Sequence, residues 1–134
     1  MADAAEQVGM SIEEMKRFIR DHFEEFVNRK NVDIADRNFA PEFVDHGADV
    51  PPGLPPGPKG AKLYVGGALK KFPDMHVTVE DMVAEGDKVV VRNVWRATDP
   101  ASGRQLQFGG IVIWRLARRQ IVERWAYLES PETV

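Results

Sequence analysis

Apolar positions change their spacing once along this chain, from helical steps to strict alternation. After Ser11, the residues Ile12, Met15, Ile19, Phe23, Phe26 and Val27 recur at three- and four-residue intervals, the stripe of an amphipathic helix. Ser11-Ile12-Glu13-Glu14 has the capping-box pattern, a hydroxyl to take one free amide and a glutamate to reach back. His22 falls beside the stripe and reads as a packed or half-exposed residue rather than a ligand. Asn31 to Asn38 predicts a second, short helix with Val32, Ile34 and Ala35 inward, and Pro41 breaks the helical pattern. Gly60 to Lys71 predicts a third, with Leu63, Tyr64, Ala68 and Leu69 inward. Phe72-Pro73-Asp74 closes it, because proline disfavours helix in its predecessor.

From Met75 the period is two. Met75 to Ala84 and Lys88 to Thr98 predict two strands joined at Glu85-Gly86-Asp87. The second strand sets Val89, Val91, Asn93 and Trp95 on one face. Gln105 to Leu116 predicts a third strand, and its Gly109-Gly110 pair suggests a bulge or bend. A hairpin at Ala117 to Gln120 leads into the last run, Ile121 to Glu129. Arg115, Arg118 and Arg119 around that hairpin read as a solvated basic turn. Phe43-Val44-Asp45-His46-Gly47 predicts one more very short strand, ending in a turn. The expected whole is a single α+β domain over residues 11–130, three helices followed by a four-strand antiparallel meander, with residues 1–10 a flexible arm.

Composition narrows the partners. The 134 residues carry a net charge of −3, so there is no basic excess to neutralise nucleic-acid phosphates. With no cysteine there is neither a disulfide framework nor thiolate chemistry. No apolar run is long enough to span a bilayer and no signal-peptide pattern opens the chain, so a cytoplasmic protein is expected.

Two stretches carry candidate chemistry. Read with period two, the last strand places Ile121, Glu123, Trp125, Tyr127 and Glu129 on one face, mixing carboxylates with amphipathic aromatics. That mixture suits the wall of a cavity for something flat and partly polar; equally, the two glutamates could face water. Asp45-His46 at a strand end could hold an imidazole over a cavity, or could be a local turn cap with an exposed histidine. The proline-rich stretch 51–58 (PPGLPPGP) is either a polyproline ligand or a rigid loop at the rim of a pocket.

The segments FVDHG (43–47), GPKGAK (57–62), FPDMHVTVEDMVAEGDKVVVR (72–92) and IVERW (121–125) resemble the SnoaL-like polyketide cyclases of the nuclear-transport-factor-2-like superfamily. The resemblance runs from about Ser11 to Glu129. It implies a cystatin-like cone, helices packed in a strongly curved antiparallel sheet around a deep apolar pocket, dimeric through the sheet. It also implies aldol-type cyclisation or isomerisation of a hydrophobic carbonyl compound, with no organic cofactor and no metal. The aspartate and histidine proposed as catalytic in such cyclases align at Ala126 and Val112, where neither group is present. On this reading the acid/base falls to Glu123, with Asp45 and His46 as polar contacts across the cavity. Trp95, Trp125, Tyr127, Asn93, Met75, Phe72 and Glu129 are expected to line it. The alternative is a non-catalytic binding protein for a small hydrophobic ligand, and a homodimer is expected in either case. An interaction domain that binds protein through its sheet is the third reading.

Overall fold

The computed structural model describes residues 7–134. Its first helix, α1 (Ile12–Phe23), begins as its sequence dictates: Ser11 Oγ accepts from the Glu14 amide at 3.1 Å and Glu14 Oε1 from the Ser11 amide at 3.0 Å. Met15, Ile19, His22 and Phe23 are buried. The helix then widens into one π-helical turn, Glu24–Asn28, which buries Phe26 and Val27. Asn28 at its end acts as a clamp on the sheet edge. Its amide donates to Val77 O at 2.9 Å and accepts from Val77 N at 2.8 Å, replacing the neighbour an edge strand lacks. A 3-10 turn (Val32–Ile34) and a single helical turn, α2 (Ala35–Asn38), stand where one short helix was expected.

Strand β1 (Phe39–Asp45) follows without a loop and contains Pro41. Proline is tolerated there because β1 is an edge strand, with its pairing interrupted between Phe39 and Val44. Helix α3 (Pro58–Lys71) packs next, with Ala61 and Leu69 buried but Leu63 facing solvent, against expectation. Strands β2 (His76–Glu85), β3 (Lys88–Thr98), β4 (Gln105–Ala117) and β5 (Gln120–Leu128) form the meander, and β6 (Glu132–Thr133) continues along β4 beyond the end of β5. The order is β1-β5-β4-β3-β2, and β1 runs parallel to β5. The sheet is therefore mixed rather than purely antiparallel.

Three local expectations are corrected. Gly109 and Gly110 make no bulge, since β3 and β4 pair without interruption from Lys88↔Arg115 to Thr98↔Gln105. They instead admit the end of β5: a Cβ on Gly109 would lie 2.6 Å from Glu129 Oε1, and one on Gly110 would strike the Leu128 side chain. Bulges do occur elsewhere: one in β5 at Val122, between the pairs Leu116↔Ile121 and Arg115↔Glu123, and one in β2 at Glu80, between Val79↔Asn93 and Asp81↔Arg92. Third, residues 7–10 are docked rather than loose. Val8 and Met10 are buried in the core, and the Arg118 and Arg119 amides donate to Gln7 O and Val8 O. Residues 1–6 of the expected arm lie outside the described residues. The Arg118-Arg119 turn has positive φ at both positions without a glycine, and it is held by this segment and by an Arg118–Glu42 ion pair.

Candidate functional site

The bulge at Val122 decides which face of β5 meets the core. A strict alternation would keep Ile121 and Glu123 together; the extra residue shifts the phase between them. Ile121 is buried in the main core, and beyond the bulge it is Arg124, Ala126 and Leu128 that turn inward. Glu123, Trp125 and Tyr127 turn outward. The face read as a cavity wall is thus the outer face of the sheet over most of its length.

Between that sheet and the helices lies a cavity of about 100 Å³, walled by Phe23 and Phe26 of the first helix, Phe39 and Phe43 of β1, and Trp95, Phe108 and Trp114 of the sheet. Of the expected lining residues, Asp45, Met75 and Trp95 are there. Asn93 is buried on the Trp95 side of β3, and its amide has no partner among the described residues, but it is not part of the lining. Phe72 caps α3 beneath the Lys71 ammonium, outside the cavity. Tyr127 is exposed, and Glu129 accepts the Gly109 amide at 2.9 Å on the surface.

Glu123 is ion-paired on the outer face. Arg115 Nε lies 2.5 Å from its Oε1 and His46 Nε2 lies 2.8 Å from its Oε2, while the His46 ring stacks on Trp125 at 5.1 Å. Desolvation alone would raise the carboxyl's pKa, but the Arg115 and His46 contacts outweigh it and hold it below the ordinary value. A group so held is a carboxylate at neutral pH, outside the cavity. It is not the buried acid the sequence suggested. Glu123→Gln is expected to cost less than about 1 kcal/mol, read as a small shift in the urea midpoint, because the pair is partly solvated.

The cavity has a different polar wall. Arg124 is 8% exposed, and its guanidinium spans two carboxylates. Nη1 donates to Asp45 Oδ1 at 2.9 Å and Oδ2 at 3.1 Å, and Nη2 to Asp49 Oδ2 at 3.1 Å. The Tyr64 hydroxyl donates to the same Asp49 oxygen, and the Gly47 amide to Asp45 Oδ1 at 2.9 Å. Gly47 is needed here, since a Cβ would lie 2.6 Å from Arg124 Nη1. Burial would raise the Asp49 pKa, yet Arg124 and Tyr64 bring it below the usual carboxylate value. Burial and Asp49 raise that of Tyr64, which stays a donor. The guanidinium also lies over Trp114, 5.8 Å from the ring centroid.

His22 lines the deep side of the cavity. It is 1% exposed, and desolvation, helped by the Arg124 charge, lowers its pKa to about 3. Its Nδ1 is 2.9 Å from Asn38 Nδ2. Sequence reasoning missed Arg124 because the bulge inverts its face, and Asp49 because nothing in a loop predicts convergence on a distant strand. Tyr64 was correctly read as inward, with no hint of a polar partner. A second depression of about 440 Å³ lies beneath the proline-rich stretch and shares Phe43, Asp45, Ala61 and Tyr64 with the cavity, so that stretch does rim a pocket. Val112 and Ala126, facing each other across β4 and β5, are buried aliphatic positions of the main core. Among the described residues no three His, Asp or Glu side chains gather as a metal-ligand set, and no helix is long and apolar enough to cross a membrane.

Comparison with known proteins bears on this geometry. The family model for the SnoaL-like polyketide cyclases matches residues 17–131. A loop-truncation variant of IdmH is 31% identical, with a TM-score of 0.72 over 85% of this chain and 91% of that one. Wild-type IdmH from Streptomyces antibioticus, a candidate polyketide cyclase, is 27% identical with a TM-score of 0.74 over the same shares, 85% and 91%. A candidate polyketide cyclase from Acidithiobacillus ferrooxidans, 23% identical, shares the fold at a TM-score of 0.78 over 90% of this chain and 92% of that one. Among curated proteins none matches.

Proposed function

The chain belongs to the SnoaL-like polyketide cyclase family, and from that premise we propose that it carries out cofactor-free acid–base chemistry on a hydrophobic carbonyl compound in its apolar cavity. The reaction class is an aldol-type ring closure or an isomerisation. The observation that carries the reading is the meeting of Asp45 and Arg124 on the wall of an otherwise aromatic cavity.

A carbon between two carbonyls is acidic enough that a carboxylate suffices as base. Asp45 sits at the end of a strand, so its position is set by the sheet rather than by a loop. Its carboxylate takes the proton from that carbon, and the electron pair passes to the carbonyl oxygen as an enolate. The Arg124 guanidinium stabilises the developing negative charge, which is worth more in a dry site than in water. The enolate carbon then bonds to a second carbonyl, and the proton held on Asp45 goes to the new alkoxide. Asp49 and Tyr64 hold the guanidinium in place throughout. The expected homodimer would use the outer face of the sheet, around His46, Trp125 and Tyr127, leaving the cavity free.

The test is hydrogen–deuterium exchange at the carbon between the carbonyls of ethyl benzoylacetate in D2O, followed by proton NMR. Wild-type protein is expected to accelerate it over buffer, Asp45→Asn to lower that acceleration by about 10²-fold, and Glu123→Gln to leave it unchanged. Binding of the ester with no acceleration would replace this reading by that of a non-catalytic carrier.

A further inference from the structure

The aromatic cavity is small for the chemistry on its wall. At about 100 Å³ it takes no more than one ring, since a dry apolar space of roughly 150 Å³ is what a single benzene occupies. Pockets for small-molecule ligands run to ~300–1,000 Å³. A compound with a ring, two carbonyls and a chain between them must therefore extend beyond the cavity.

The neighbouring space is the depression of about 440 Å³ beneath the proline-rich stretch, which shares Phe43, Asp45, Ala61 and Tyr64 with the cavity. The Asp45 side chain keeps 15% exposure, so the junction is not closed over. The roof is anchored at both ends. Val50 N donates to Gly47 O at 3.2 Å, and Gly57 N to Phe43 O at 2.9 Å. A Cβ on Gly57 would lie 2.6 Å from Pro41 O, and one on Gly60 would strike Pro55 O, so these glycines let the loop lie directly against β1 and α3. Pro51, Pro52, Pro55 and Pro56 fix their own φ and carry no amide N–H. An apolar group beneath them strands no donor at those four positions, and the stiff loop has little freedom left to lose on binding.

A third depression, of about 710 Å³, lies at the end of β5 and shares Asp49, Phe108 and Leu128 with the cavity. Asp45 does not line it. Asp45 stands instead at the junction with the proline-roofed space, where the middle of a two-part ligand falls.

We propose that the depression beneath the proline-rich stretch is a second subsite, holding an apolar arm of the substrate while the ring occupies the cavity and the carbon between the carbonyls lies at Asp45. The inference rests on the reading of the cavity as the reaction site and adds the substrate's length to it. The preferred class is an aryl β-keto ester with an extended apolar arm, not a compact one-ring compound.

The probes are the ethyl, butyl and hexyl esters of benzoylacetic acid, titrated into the wild-type protein by calorimetry. Affinity is expected to rise about 2- to 4-fold per added methylene. Apolar chains gain affinity on many surfaces, so the arm's position is read separately. In wild-type protein with carbon-13 methyl groups, the Val50 and Leu54 signals move with the hexyl ester and not with the ethyl ester, while Ala48, in the third depression, stays in place. Val50→Trp, which fills the proline-roofed space, removes the gain with length; Ser130→Trp, which narrows the third depression, keeps it. Shifts at Ala48 without shifts at Val50 and Leu54 place the arm at the end of β5 and overturn the proposal. Equal affinities for the three esters overturn the subsite while leaving the cavity a binding site. Failure of every ester to bind overturns the reading of the cavity, and this inference with it. Because the methyl signals come from the wild type, a variant that fails to fold does not weaken the test.

Discussion

Arg124→Met is expected to lower the unfolding free energy by about 3–5 kcal/mol, the cost of leaving buried carboxylates without their partner. The side chain is 8% exposed, and both Asp45 and Asp49 depend on it. Methionine keeps much of the apolar stem's packing, so the loss reports chiefly the charge. Urea unfolding at neutral pH measures it, with Glu123→Gln as the contrasting surface pair. Adding Asp45→Asn and Asp49→Asn to Arg124→Met is expected to recover much of the loss, since no unpaired charge then stays buried. A loss below about 1 kcal/mol for Arg124→Met alone would mean that the cluster is wet and that its carboxylate is no catalyst of the proposed kind.

The second large effect is acid lability centred on His22. Its ordinary pKa of 6.5 falls to about 3 in the folded protein, first because burial excludes the charged form and second because Arg124 repels it. Between these values the unfolded chain binds a proton that the native one refuses. Stability from this group is therefore complete above about pH 6.5 and declines as pH falls toward 3, by up to about 1.4 kcal/mol per unit. Asp49, whose folded pKa is lowered, adds a further loss in more acid solution, as pH drops through and below its ordinary value of 3.8. The measurement is unfolding free energy against pH from 7 to 4, for the wild type and His22→Phe. The variant is expected to flatten the slope; an unchanged slope would place the acid sensitivity elsewhere.

How much of this was written in the sequence depends on whether the cause was local. The capping box at Ser11, the third helix and the strands from His76 onward follow from short-range patterns, and each is found within a residue or two of its expected place. The β5 face was misread because one extra residue, Val122, reverses every side chain beyond it, and a bulge leaves no mark in a hydrophobic alternation. Glu123 consequently looks like the cavity acid in the sequence, with Arg124 on the opposite face. Gly109-Gly110 carries the opposite error: glycines inside a strand suggest a bulge or bend, but the pairing there has no bulge and the glycines admit Leu128 and Glu129. Asp45 is legible as a polar strand end, yet the arginine it pairs with lies 79 residues away.

That separation also orders the protein's synthesis. Strand β1 has β5 as its sheet partner, and β5 is made only after β2, β3 and β4. At about 5–20 residues/s, roughly 4–16 s pass between the emergence of Asp45 and that of Arg124. During that interval β1 has no strand to pair with, and the site has no cation. A chain released before β5 would leave β1 without its sheet partner and Asp45 without its cation, so pairing and candidate site are lost together.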